Sequence, residues 1–297
     1  MHWGSPIIRR TDRERNEILS YGDFLKTGTY RLHSSFSKAV NYVNGNRLIS
    51  LVSKETGNGP VNIVLKKVEN INSKSIYIAV DFIEIGETKL FLNNAEKYNS
   101  GILISTIDID LFYKNLSITS EIVKKNAPEK SYAFLIENKR QKYFNSSFDK
   151  SLIERVLKGW STIEEKNYAE GTAMLKGTGY GFTPGGDDFL AGLLTGLYMK
   201  KRVGIDKGLK KDVDKVRKLI FRAGRTGNVI SDNFLLFAYE GCFYERTKNL
   251  ILSMSRKEET AVKDNTYRLI RYGETSGADF VTGMICALTR LRNLEQF

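Results

Sequence analysis

The stretch that decides the fold is KGTGYGFTPGGDDFLAGLLTGLYMK, residues 176–200. Seven glycines fall between Gly177 and Gly196, and two adjacent aspartates stand directly before an apolar run. Glycine inside a regular element is unfavourable by roughly 0.5–1 kcal/mol relative to alanine, so this density asks for a cause. Thr183-Pro184 marks a turn, because proline pushes the preceding residue out of the helical region. The apolar spacing of Phe189, Leu190, Leu193, Leu194 and Leu197 then predicts a buried helix with Asp187 and Asp188 in its first turn.

Working outward, the texture changes on either side of about residue 147. Upstream, YRLHSSFSKAVNYVNGNRLISLVSKE, GPVNIVLKKV, SIYIAVDFIEIG, TKLFLN, ILISTIDIDLF and SYAFLIEN read as short strands, with Asn44-Gly45 as a hairpin signal. Downstream, FDKSLIERVLKGWSTI, LKKDVDKVRKLIFRAGR, VISDNFLLFAYEGCFYERTKNLILSMS and ETAVKDNTYRLIRYG carry helical periodicity. The expected fold is α+β: a mostly β domain over 1–147, of sandwich or barrel type, then a mainly helical domain over 148–297. NKRQKYFNSS is the expected junction.

The helical half contains an echo. PGGDDFLAGLL (184–194) aligns with TSGADFVTGMI (275–285) at an offset of 91 residues. Gly186, Asp188, Phe189 and Gly192 fall on Gly277, Asp279, Phe280 and Gly283. Two helix starts of one design suggest a pseudo-symmetric pair facing a common site.

Composition removes several alternatives. Two cysteines, Cys242 and Cys286, and two histidines, His2 and His33, leave no zinc-ligand spacing and no disulfide framework. They also leave no Ser-His or Cys-His pair unless His33 serves alone. The net charge of +12 comes from scattered lysines interleaved with acids, without a recognisable DNA- or RNA-binding motif, which argues against a nucleic-acid partner. Such a field would still draw in small anions. No apolar run reaches the ~18 residues of a membrane span, and no signal peptide is evident; a soluble, cytoplasmic protein is expected.

Read chemically, Gly177, Gly179, Gly181, Gly185 and Gly186 would bring backbone N–H groups to a small anion at a helix N-terminus. Ser276, Gly277 and Asp279 are their partners in the second copy. Asp187, Asp188 and Thr183 are the catalytic candidates, for proton acceptance or, in the case of Asp187 and Asp188, for binding Mg²⁺ between carboxylate and phosphate. Arg222, Arg225 and Arg271 are candidate carboxylate clamps, though surface positions suit them as well. The plain alternative is structural. Acidic residues stabilise a helix start by about 0.3–1 kcal/mol without any ligand. Gly192 and Gly196 suit close helix packing.

The pattern LxGxGxGxTPxGDDFLxGLL, here Leu175 to Leu194, resembles the family of the third, smaller subunit of oxamate carbamoyltransferase. HSSFSKAVNYV, RLISLVSKETGNGPVNIVL, VISDNFLLFAYEG and GETSGADFVTGM are similar to further parts of that family. Gly185 stands where serine is common, and Lys176 where an apolar residue is frequent. The resemblance implies carbamoyl transfer between carbamoyl phosphate and oxamate, giving oxalurate and phosphate, in anaerobic allantoin and purine breakdown. It also implies partner subunits. Three readings stay open: a subunit that binds the substrates itself, a non-catalytic assembly subunit, and a Mg²⁺-dependent hydrolase of a small phosphorylated compound.

Overall fold

The computed structural model describes residues 17–68, 71, 73–103, 107–203 and 210–291; His2 and the charged N-terminal stretch lie outside them. The chain divides into two compact units, one ending at Asn99 and one beginning at Ser100. The division comes before the change of texture expected at 147, because residues 109–147 already belong to the helical unit.

The first unit is a curled, open nine-stranded sheet. Its strands are β1 (Ile18–Gly22), β2 (Gly28–Phe36), β3 (Ala39–Asn44), β4 (Arg47–Ser53), β5 (Asn62–Leu65), β6 (Ser75–Ile78), β7 (Phe82–Ile85), β8 (Thr88–Phe91) and β9 (Glu96–Tyr98). Their order is β8-β7-β6-β2-β3-β4-β5-β1-β9. Among the described residues, β4–β5 and β1–β9 pair in parallel and the other neighbours antiparallel. Asn44 and Arg47 flank the expected β3–β4 hairpin, with Gly45 at φ +58°. Strict alternation in β6, where Ile76 and Ile78 are buried and Ser75 and Tyr77 exposed, marks a strand with one face covered. Tyr30, Tyr42, Ile49, Leu51, Ile63 and Leu65 form the centre of this unit's core. His33 is exposed on β2, with Nδ1 3.2 Å from the Ser34 hydroxyl.

The second unit is helical throughout its described residues. Its helices are α1 (Ile109–Asn126), α2 (Ser147–Glu164), α3 (Tyr168–Leu175), α4 (Gly185–Val203), α5 (Lys210–Gly224), α6 (Val229–Glu240), α7 (Glu245–Met254), α8 (Glu259–Ile270) and α9 (Ser276–Thr289). Two expected strands are corrected here. The end of ILISTIDIDLF begins α1, capped by the Asp108 carboxylate accepting from Leu111 N–H. SYAFLIEN forms a 3-10 turn over Tyr132–Leu135, all four residues buried in the helical core. A short apolar run of this kind fits a strand or a buried turn equally, and among the described residues of this unit no strand is there to pair with it. The long run 229–254 splits into α6 and α7 at Gly241, whose left-handed backbone (φ +76°) ends α6. No helix among the described residues is long and apolar enough to cross a membrane.

Helices α4 and α9 are the centre of the unit, and α9 is buried almost end to end. A helix apolar all round belongs in a core. They run parallel: contacts on α9 advance through 276, 280 and 284 as those on α4 advance through 188, 192 and 196. The packing is reciprocal. A Cβ on Gly192 would overlap the Phe280 carbonyl oxygen, and a Cβ on Gly283 would overlap that of Phe189. These four residues are the 91-residue equivalents of one another, so the sequence echo is a local two-fold axis between parallel helices. At each helix start the relation repeats: Gly186 packs on the Leu175 carbonyl at the end of α3, and Gly277 on the Leu269 carbonyl near the end of α8.

Gly192→Ala and Gly283→Ala are therefore expected to destabilise the protein by about 1–3 kcal/mol each, the cost of overpacking a fitted contact. At an unrestricted helical site the same change would stabilise by up to about 1 kcal/mol. Denaturant unfolding measures the sign. Stabilisation by either variant would contradict the close approach.

Candidate functional site

The parallel pair brings the N-termini of α4 and α9 to one end, and with them the positive ends of two helix dipoles. Each helix carries an aspartate in its first turn, and each aspartate reaches the start of the other helix. Asp188 lies beside Thr183 and Ser276: the Thr183 hydroxyl is 3.2 Å from Asp188 Oδ2 and 3.1 Å from the Ser276 hydroxyl. Ser276 is the first residue of α9. Asp279 faces Gly185, the first residue of α4, so closely that a Cβ there would sit 2.7 Å from Oδ2. Serine in place of Gly185 would thus require the Asp279 carboxyl to move.

Both carboxyls are buried, Asp188 3% and Asp279 1% exposed. Burial raises the Asp188 carboxyl to about 7, against hydrogen bonds from Ser276 and Thr183 that favour its ionised form. Burial likewise holds Asp279 well above the ordinary carboxylate range, while the Tyr132 N–H, 2.5 Å from Oδ1, pulls the other way. Asp188 adds to the rise at Asp279, since like charges at one site resist joint ionisation. Oδ2 of Asp279 closes no hydrogen bond of ordinary geometry, although the Thr275 hydroxyl faces the same carboxyl. A buried carboxyl oxygen left in this state is costly, and a ligand N–H or O–H would relieve it.

The glycine loop between α3 and α4 is pinned at three points. Gly177 N–H donates to Asp187 Oδ1 at 2.7 Å. The Thr178 hydroxyl meets the Tyr132 hydroxyl at 2.7 Å. The Tyr180 hydroxyl donates to Asp149 Oδ1, which also receives Lys130 at 3.0 Å. Asp149 is the capping-box residue of α2, and its hydrogen bonds from Tyr180 and Ser146 hold its carboxyl well below the usual range. The Tyr180 phenol is pushed up to about 12 by burial and by the same carboxylate. Gly179, at φ +105°, lets the chain double back over Tyr132: a Cβ there would lie 2.8 Å from Gly185 N and 3.1 Å from the Tyr132 hydroxyl. An L side chain would be strained at that φ whatever the space.

These contacts sort the expected site residues. Gly177 donates its N–H to Asp187; Gly186 donates to the Thr178 carbonyl and Gly277 to the Tyr272 carbonyl. Asp187 is 5% exposed, raised by burial, and turned toward Gly177 and Ser231, away from the pocket of Asp188. Its position makes it a tie between loop and helix. The N–H groups of Gly179, Gly181 and Gly185 have no acceptor among the described residues. The structure thus brings together Gly179, Thr183, Gly185, Asp188, Ser276 and Asp279, while Gly181 lies in the same loop near only the Thr183 carbonyl. Arg222 is exposed on α5, Arg225 pairs with Asp232 at 3.5 Å, and Arg271 lies over the Tyr267 ring at 5.3 Å. Among the described residues no three His, Cys, Asp or Glu side chains are grouped to hold a metal ion. Asp187 and Asp188, the expected metal pair, point to different partners.

Sequence reading missed Tyr132. It holds Asp279 through its N–H, Thr178 through its hydroxyl and Phe189 through its ring at 6.2 Å, all at once. No local pattern marks it, because its partners lie 46 and 147 residues away.

A carboxyl raised in the folded state binds more protons there than when unfolded, so stability falls as pH rises between about 4 and about 7. Asp188→Asn is expected to flatten that decline, by up to about 1.4 kcal/mol per pH unit for the proton it removes. Thermal unfolding of both proteins across this range measures it. Equal slopes would contradict a raised Asp188.

No curated protein and no solved structure matches the chain. Residues 175–288, from the last residue of α3 through the penultimate residue of α9, match the family model of oxamate carbamoyltransferase subunit AllH.

Proposed function

We propose that this chain is a subunit of an oxamate carbamoyltransferase complex and that the converging starts of α4 and α9 bind its small substrates. The family match over 175–288 supports the complex. The reciprocal reach of Asp188 and Asp279 to the opposite helix start carries the binding role.

The chemistry asks for two things at one place. The oxamate carboxylate needs N–H donors, which Gly179, Gly181 and Gly185 offer at the positive ends of two helices. The oxamate amide must lose a proton as it attacks. In the forward direction its nitrogen forms a bond to the carbamoyl carbon, the carbon–oxygen bond to phosphate breaks, and phosphate leaves with that electron pair. The departing N–H proton passes to the Asp188 carboxylate. A carboxyl near 7 both accepts a proton at neutral pH and returns it, as general acid–base catalysis requires. Charge gathering on the carbamoyl oxygen is met by the same amides; one such donor is typically worth about 2.7–4 kcal/mol. Run backwards, phosphate splits oxalurate to carbamoyl phosphate and oxamate, as the breakdown of allantoin would use it. Asp279, whose Oδ2 closes no hydrogen bond of ordinary geometry, offers that oxygen to a substrate N–H.

A second reading, an assembly subunit without chemistry, has one observation in its favour. Gly177, Gly186, Gly277, Gly192 and Gly283 are all accounted for by internal hydrogen bonds or close packing.

In the assembled complex, Asp188→Asn is expected to lower kcat by about 10²–10⁴-fold, the usual contribution of a general base. Subunit association, followed by size-exclusion chromatography, should persist. Full activity of the assembled variant would leave the assembly reading in place.

A further inference from the structure

Asp188 is 3% exposed, so its carboxyl sits behind the surface that a substrate reaches first. Its two hydroxyl neighbours are less enclosed. Thr183, near the end of the glycine loop, and Ser276, which opens α9, are both half-buried. Their contacts form a chain: Ser276 Oγ lies 3.1 Å from Thr183 Oγ1, and Thr183 Oγ1 lies 3.2 Å from Asp188 Oδ2. Both steps are longer than the about 2.8 Å of an ordinary O–H···O bond, as catalytic hydrogen bonds often are before a substrate closes them. Helix capping does not account for the pair. Among the described residues neither hydroxyl accepts a helix N–H, which is what a capping hydroxyl does. The two residues are 93 apart in sequence and meet because α4 and α9 start side by side.

We infer that Ser276 and Thr183 form a proton relay between the substrate amide and Asp188. The inference rests on the carbamoyl-transfer reading of this site. A hydroxyl both donates and accepts, so it passes a proton on without keeping a charge. As the oxamate nitrogen bonds to the carbamoyl carbon, its N–H proton goes to Ser276 Oγ. The Ser276 hydroxyl proton goes to Thr183 Oγ1, and the Thr183 hydroxyl proton to Asp188 Oδ2. Both hydroxyls end neutral, Asp188 ends protonated, and phosphate leaves with the electron pair of the broken carbon–oxygen bond. Phosphorolysis of oxalurate runs the relay in reverse. The base can then stay enclosed, where burial raises its carboxyl to about 7, while the reacting nitrogen remains at the helix starts.

Steady-state kinetics of the assembled complex tests the relay. Thr183→Val keeps the shape and removes the hydroxyl; it is expected to lower kcat about tenfold or more with KM little changed. Thr183→Ser should recover most of that loss. Ser276→Ala and Ser276→Thr form a second such pair, which decides the matter if Thr183→Val does not assemble. Added to Asp188→Asn, Thr183→Val should cost no further rate, because residues of one proton path act as a unit. A loss that multiplies with that of Asp188→Asn overturns the relay. Full kcat in both Thr183→Val and Ser276→Ala, beside a slowed Asp188→Asn, also overturns it and leaves Asp188 as a direct base. Full kcat in Asp188→Asn overturns the relay together with the reading on which it rests.

Discussion

The close approach of α4 and α9 is the constraint on which the helical unit depends. Two carbonyl oxygens, those of Phe189 and Phe280, occupy the space that side chains would need at Gly283 and Gly192. Only the absence of a Cβ at both positions lets parallel helices meet there. Parallel packing sets two like dipole ends together, which antiparallel neighbours would avoid. The arrangement is tolerated because the rest of the unit over-determines it: both helices are buried, and both starts are seated on the ends of preceding helices.

The electrostatics follow from that packing. Two positive helix ends favour negative charge, yet burial opposes it, and the outcome differs between the equivalent residues. Asp188 retains hydroxyl partners and is raised by burial to about 7, while burial holds the enclosed Asp279 well above the ordinary carboxylate range. Asymmetry thus comes from what surrounds a symmetric pair: a long glycine loop and Tyr132 on one side, a short loop on the other.

Much of this was legible in the sequence because it is local. Period-two strands, the Asn44-Gly45 hairpin, the helix starts and the 91-residue echo are all written in neighbouring residues. The echo predicted paired helix starts, and Thr183, Asp188, Ser276 and Asp279 do lie together at them. The rest depended on tertiary contacts. Tyr132 looked like part of a strand because a run of four buried residues has no period. Asp187 looked equivalent to Asp188, but adjacent residues on a helix point about 100° apart, which sends one to the loop and the other to the pocket. Gly186 and Gly277 looked like ligand-binding backbone, whereas their N–H groups are consumed at home and their missing side chains make room for carbonyls.

The central claim is that the two helix starts form one ligand site. Amide hydrogen exchange, read at 177–188 and at 273–279 with and without oxalurate, tests it most directly. Joint protection of both segments is the expected result. Protection of one segment without the other, or of neither in the assembled complex, would contradict it.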